Sequence, residues 1–391
     1  MSSLHGMGRG RVLQRSRSVK GRGMLPWLML SCLVGMMAPL APAAAAVPAS
    51  DCPRAGEHFS LDTPIFDILA NPRAKAVVDR LAPGLLAGLP PMMQSKTLPA
   101  LGAILPLRFM LRQPDLDRAG LQKELAAIPV GATDDALLCA RYEQGPAPAL
   151  PTVVKHPAIL VFDKSTGFRD NPSVDAATAS IKEMAAQEGW QLVFSHNATS
   201  FNPRDLARFD AVVWNNVSGD VLSLSQRAAF KAYIEHGGGF VGVHGSDGDF
   251  VTFWPWYVDT LIGARFVGHP SSPQQFQPGK LRVDDPASPI TAGLGEGWEM
   301  TEEWYSFAGS PRKSGAHVLV TLDESSYKPV GFEGGLTMGD HPIAWTRCVG
   351  RGRSFYTAIG HLPGSYTQPS AARLLRQGIT WAVKGRGESC R

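Results

Sequence analysis

No acidic residue occurs before Asp51, although Arg9, Arg11, Arg15, Arg17, Lys20 and Arg22 all precede Met24. Those six cations explain the formal charge of +4; with 38 Lys plus Arg against 34 Asp plus Glu, the body without them carries about −2. A near-neutral body gives no electrostatic basis for nucleic-acid binding. Cysteine is scarce, and none sits in a turn that would expose a reactive thiolate. Also absent are an HExxH motif, a twin-arginine pair, an internal repeat and any apolar run long enough to span a bilayer.

The basic start leads into an apolar run, Met24–Met37, and then into small residues, Ala41–Ala46. That order reads as a cleaved signal peptide over residues 1–46, with cleavage after one of Ala44 to Ala49. It predicts a periplasmic or secreted protein with no integral span in the mature chain. Cys32 as a lipoprotein cysteine is the alternative, opposed by the apolar residues that continue past it. Four cysteines then remain, Cys52, Cys139, Cys348 and Cys390, an even number that permits disulfides in an exported chain. Three pairings are open. Cys52 with Cys139 would bracket the first domain, and Cys348 with Cys390 would tie down the C-terminal tail.

Residues 51–145 read as a small helical accessory domain. Ile65, Ile68, Leu69, Val77, Val78 and Leu81 recur near helical spacing, as do Leu116, Leu121, Leu125 and Ile128, and prolines divide the segment into short helices. It concentrates almost no polar chemistry; a partner or dimer surface is the other reading, and a homo-oligomer is left open. A proline-rich linker follows at 146–154.

From 155 to 385 the period changes. Ala158–Phe162 is a continuous apolar run, as in a strand covered on both faces. Asn171 is read as an N-cap before Pro172, opening a helix that Gly189 ends. Gln191–Phe194, Ala211–Trp214 and Gly239–Val243 read as strands, with a helix from Ser225 to Glu235. Further strands are expected at Leu281–Val283, Thr301–Tyr305, Val318–Val320, Ile343–Trp345 and Ser354–Ile359, and a closing helix at Ala371–Val383. Strand alternating with helix predicts a doubly wound, mostly parallel α/β sheet. Residues 386–391 are a tail.

In such a sheet ligands bind beyond the carboxyl ends of the strands. Polar residues gather at those ends: Lys164, Phe168 and Arg169 after the first strand, Asn215 and Asn216 after the third, His244 and Asp247 after the fourth, and His361 after the last. His269, Glu303, Trp304, Tyr305 and His341 lie in loops or short strands of the second half. Trp254, Trp256 and Tyr257 offer flat faces on which a sugar ring could pack, or else plug the core. His244, His269, His341, His361 and Glu303 include the ligand types for zinc or another divalent metal, scattered too widely to assemble from sequence. No cofactor is called for with certainty. Gly242–Ser246 copies a hydrolase elbow in shape, but its centre is His244 and Ser246 falls two residues late.

Val161–Arg169, Gly238–His244, Trp254–Tyr257, Glu302–Tyr305, His341–Trp345 and Tyr356–His361 resemble, in order, the trehalose-utilisation (ThuA-like) family, from about His156 to Lys384. The resemblance implies the fold of class I glutamine amidotransferases. Their nucleophilic cysteine would fall at His244, so glutamine hydrolysis through a thioester is not expected. Gly360–Pro363 is similar to the turn carrying their catalytic histidine, with Pro363 where the acidic partner would stand. After Phe168-Arg169 the family commonly has histidine, and this chain has Asp170. The resemblance implies a small-molecule carbohydrate as ligand, a disaccharide or keto-sugar. Expected roles are acid–base catalysis by His244 and His361 with Glu303 as carboxylate partner, in a lyase, isomerase or hydrolase; the alternative is a non-catalytic sugar-binding protein.

Overall fold

A computed structural model describes residues 49–130, 138–143, 149–151, 154–385 and 390. The expected signal peptide with Cys32, and most of the proline-rich linker and of the tail, lie outside the described residues. No helix among the described residues is long and apolar enough to cross a membrane.

The N-terminal region folds as short pieces. Helix α1 is Ile65–Ala70 and α2 is Pro72–Leu81. Asn71 separates them, its side chain accepting the Ala74 N–H at 2.8 Å. Helix α3, Arg118–Ala126, starts later than its apolar pattern, because the Asp117 carboxylate caps it by accepting the Gly120 N–H at 2.8 Å. Ile65, Ile68, Val78, Leu107, Leu121 and Leu125 make a core of their own.

The rest is built on one nine-stranded sheet. Its strands are β1 Ala158–Phe162, β2 Gln191–Ser195, β3 Ala211–Asn215, β4 Gly239–Val243, β5 Gln277–Val283, β6 Gly297–Glu302, β7 His317–Asp323, β8 Pro342–Val349 and β9 Gly352–Thr357. The spatial order is β2-β1-β3-β4-β9-β8-β7-β5-β6. The first five are mutually parallel, and the remaining neighbours pair antiparallel. Helices α4 Asn171–Glu188, α5 Leu224–Glu235 and α6 Pro369–Val383 pack against the parallel half. Strands β1, β3 and β4 are buried at every position, which is why their sequences run apolar without alternation. The order reverses between β1 and β3, the place where an open α/β sheet forms its crevice.

Of the expected boundaries that move, three have a bearing on the site or its helices. Asp170, not Asn171, is the N-cap of α4: its backbone is extended and its carboxylate accepts the Ser173 N–H at 3.1 Å, while Asn171 is already helical. Helix α5 starts at Leu224 because Ser223 and Gln226 form a reciprocal capping box. The strand expected through Tyr305 stops at Glu302, and Glu303 turns away toward the centre of the sheet.

Cys52–Cys139 and Cys348–Cys390 are paired at disulfide distance, with Cα separations of 5.6 and 5.8 Å. The first bond anchors the stretch that bears Arg141 and Tyr142. Buried Arg141 forms an ion pair with Asp67, and the Tyr142 hydroxyl donates to Asp220 at 2.6 Å. Asp51 also reaches the body, accepting the Ser223 hydroxyl at 2.8 Å and the Ser225 N–H at 2.6 Å.

Candidate active site

At the carboxyl ends of β1, β3, β4 and β9 lies a cavity of about 600 Å³. Its polar part is organised around one carboxylate. Glu303 is 2 % exposed, and its Oε2 lies 3.1 Å from His244 Nε2 and 2.8 Å from His361 Nδ1. Its Oε1 lies 3.3 Å from His269 Nδ1 and accepts the Gln275 amide.

Each histidine is aimed by its surroundings. His244 follows β4 with φ of 40°, a left-handed backbone unusual outside glycine. Its Nδ1 donates to the Ala358 carbonyl at 2.7 Å, which turns Nε2 toward Glu303. The Tyr305 ring lies against it at 4.1 Å between centroids. His361 is positioned by Glu302, the neighbour of Glu303. The fully buried Glu302 carboxylate accepts the Gly360 N–H at 3.0 Å, the Leu362 N–H at 3.3 Å and the Ser365 hydroxyl. Gly360 must be glycine there: its φ is 145°, and a Cβ would stand 2.6 Å from the Tyr366 hydroxyl. Two adjacent carboxylates therefore divide the work, one holding the turn and one facing the cavity.

Burial favours the neutral acid of Glu303, but hydrogen bonds from His244 and His361, with the charges of His269 and His244, outweigh it and hold the group well below the usual carboxylate range. Burial likewise opposes charge on His361, yet the hydrogen bond and charge of Glu303, with Glu302 behind, raise its pKa. The result is a persistent carboxylate beside a histidine whose charged form is stabilised relative to a free imidazole.

Among the described residues, His244, Glu303 and His361 are the group whose ligand atoms come together, all within 4.8 Å. Three protein donors with an open side suit a divalent ion, and the Ala358 carbonyl behind His244 is the kind of outer partner that orients a ligating imidazole. These residues could thus hold a metal or act through protons alone. Ser246 faces neither use, since its hydroxyl donates to the Trp214 carbonyl at 2.9 Å.

Of the residues singled out in the sequence, Phe168, Asn216, His244, His269, Glu303, Tyr305 and His361 line the cavity. The others lie off its lining, and apart from Asp247, whose buried Oδ2 has no hydrogen-bond partner, they are engaged elsewhere. Lys164 donates to the Arg141 carbonyl at 2.6 Å and pairs with Glu143 at 3.1 Å. Arg169 pairs with Asp163 at 3.3 Å. Asn215 donates to the Val174 carbonyl at 3.0 Å, and the Trp304 indole to Gln277 at 2.8 Å. His341 is buried between the Tyr305 carbonyl at 2.8 Å and Glu324 at 3.0 Å. Trp254 lies 5.0 Å from Trp256 and 6.2 Å from Tyr257, which stacks on Trp214 at 4.7 Å, a packed cluster rather than an open platform. Cavity residues that the sequence did not signal include Met92, Leu101, Ile104, Phe266, Gln275 and Phe276. Isolated apolar residues and a lone amide carry no local pattern that would mark them.

A second, small cavity of about 50 Å³ is lined by Asp220, Asp247, Asp249, Trp254 and Tyr257. Burial, and then the neighbouring Asp249, push the Asp247 carboxyl well above its usual range. Burial also pushes Asp249 up to about 7, against hydrogen bonds from Ser218 and the Gly219 N–H. From roughly pH 4, where a free carboxyl ionises, to about 7 the folded chain holds a proton at Asp249 that the unfolded chain has lost. Stability contributed by this group therefore falls as pH rises through that window and is level above it. Asn reproduces the protonated form, accepting from Gly219 and donating to Ser218. Asp249→Asn is expected to stabilise the protein at pH 8 by about 2 kcal/mol, reduced from the full linkage value because Asp249 is only half-buried. Urea titrations at pH 8 and pH 4 check this; the gain should vanish at pH 4, and a loss at pH 8 would contradict it.

The fold is that of an α/β protein consistent with the class I glutamine amidotransferase type, and at the end of its β4 a histidine is bound to a carboxylate. The family model for trehalose utilisation (ThuA) matches residues 158–382, and the chain belongs to that family. Among solved structures it is similar to a ThuA-like protein from Bacteroides uniformis, at 24% identity and a TM-score of 0.51, over 62% of this chain and 98% of that one. A ThuA-like protein from Parabacteroides merdae aligns at 19% identity and a TM-score of 0.45, over 61% of this chain and 92% of the other. No curated protein matches the chain.

Proposed function

We propose that this chain is an exported enzyme of carbohydrate utilisation that acts on a disaccharide or keto-sugar derivative by proton transfer. The observation that carries the reading is Glu303 held between His244 and His361 on the wall of a cavity large enough for a two-ring ligand. A ketone acidifies the adjacent C–H. His361, whose Nδ1 faces Glu303, would take that proton at Nε2 in its neutral form and return it to the enolate oxygen or to a departing β-oxygen, so that enolisation or elimination balances without an added reductant or oxidant, while His244, with both ring nitrogens engaged, would hold Glu303 in place. Glu303 keeps its negative charge throughout and stabilises the imidazolium as it forms. Family membership and paired cysteines are in keeping with carbohydrate handling outside the cytoplasm.

Thermal shift with trehalose, sucrose and their keto forms, with and without a chelator, tests binding. A ligand at a hundred times its dissociation constant adds about 2.7 kcal/mol. The expected result is a shift selective for one of these sugars, retained in His244→Ala and His361→Ala while product formation is lost. Full turnover by His361→Ala would remove the proposal. Product loss only on chelation would assign the trio to a cation.

A further inference from the structure

The cavity has two chemically different halves, and the second is partly supplied by the N-terminal region. Opposed to the Glu303 cluster in character are Met92, Leu101, Ile104, Phe250, Phe266 and Phe276. The first three precede residue 158 and so stand outside the family segment. They are built in rather than draped over the site. The Ala100 N–H donates to the Thr166 carbonyl at 3.2 Å. Ile104 is packed so closely on the first loop that a Cβ on Gly167 would fall 2.3 Å from its Cγ2. Phe250 meets Phe109 of the N-terminal core at 4.7 Å and Phe266 at 4.9 Å, so one aromatic row joins the two regions.

A sugar hydroxyl placed on this wall would lose water and find no partner. An aromatic or alkyl group there would lose only apolar hydration, which favours binding. With room for two rings and one polar half, the cavity matches a ligand with one sugar and one apolar end.

We infer that the substrate is a glycoside with an apolar, aryl-type aglycone, its sugar ring at the Glu303 cluster and its aglycone on the wall formed by Met92, Leu101 and Ile104 with Phe250 and Phe266. The inference rests on the carbohydrate reading above and, of its two options, takes the keto-sugar derivative over the disaccharide. It also assigns the N-terminal region a task, the choice of aglycone.

The test is titration calorimetry of the purified protein with phenyl and methyl glucopyranosides, both anomers, and with trehalose. The expected result is phenyl binding at least tenfold tighter than methyl. In Met92→Ser/Leu101→Ser the ratio should fall to within about threefold while methyl affinity holds. Met92 is 58% exposed and Leu101 partly so, which lets the fold tolerate the change. Equal phenyl and methyl affinities in the unaltered protein would overturn the aglycone and leave the carbohydrate reading standing. A phenyl preference that survives in the variant would place the aglycone elsewhere and overturn the inference. Binding by none of these sugars, nor by the keto forms used in the thermal-shift test, would overturn both.

Discussion

Glu303→Gln is expected to reduce turnover by a thousandfold or more while leaving the fold and ligand binding near their original levels. The substitution keeps size and shape but removes the charge that His244 and His361 share at 3.1 and 2.8 Å. Without that charge His361 loses the interaction that overcomes its burial. Acid–base contributions of this kind span roughly 10² to 10⁴ in rate, and Glu303 is hydrogen-bonded to both histidines. Glu302→Gln is the informative comparison. Glu302 touches backbone N–H groups and Ser365 rather than the cavity, so its loss should displace the His361 turn and lower melting as well as rate. Steady-state kinetics with parallel melting curves separate the two; a Glu303→Gln enzyme within tenfold of the original would show that the carboxylate is not central.

Removing the Cys52–Cys139 bond is expected to destabilise the chain by about 4.5 kcal/mol, the chain-entropy scale for a bond closing a loop of this length; its sequence separation is 87. The effect should exceed that of Cys348–Cys390, whose separation is 42 and which ties only the C-terminal end. The Cys52 pair anchors Arg141 and Tyr142, which meet Asp67 and Asp220, while the Arg141 carbonyl holds Lys164 at the start of the first cavity loop. Cys52→Ser/Cys139→Ser should therefore also loosen ligand binding, whereas Cys348→Ser/Cys390→Ser should not. Denaturant unfolding and binding of both double variants check the contrast; equal losses would contradict it.

The α/β sheet was legible in the sequence because buried parallel strands leave a local record: Ala158–Phe162, Ala211–Trp214 and Gly239–Val243 are apolar without interruption. Gly189 marked a helix end for an equally local reason, its positive φ. Boundaries that depend on which side chain folds back, such as the Asp170 cap, were not legible in that way.

His244, His361 and Glu303 stood out because each follows a strand or sits in a short polar block. Spacing alone did not supply the partner of His361; Glu303 was expected in that role only after the family resemblance. Pro363 fills the place where an acid was sought, and the carboxylate comes instead from Glu303, 58 residues away, across the sheet. Trp254, Trp256 and Tyr257 show the reverse: their composition suits a sugar platform, but packing on Trp214 takes those faces inward.

By itself the sequence determined the element types, the family and the histidines at the strand ends, since these rest on periodicity, turn residues and local motifs. Only the tertiary structure placed Glu303 within hydrogen-bond distance of both histidines and decided which cysteines pair and that Met92, Leu101 and Ile104 from the first hundred or so residues face the same cavity. Those contacts join residues far apart in the chain, and which of them meet follows from how the packed elements close on one another, a relation that no local pattern encodes.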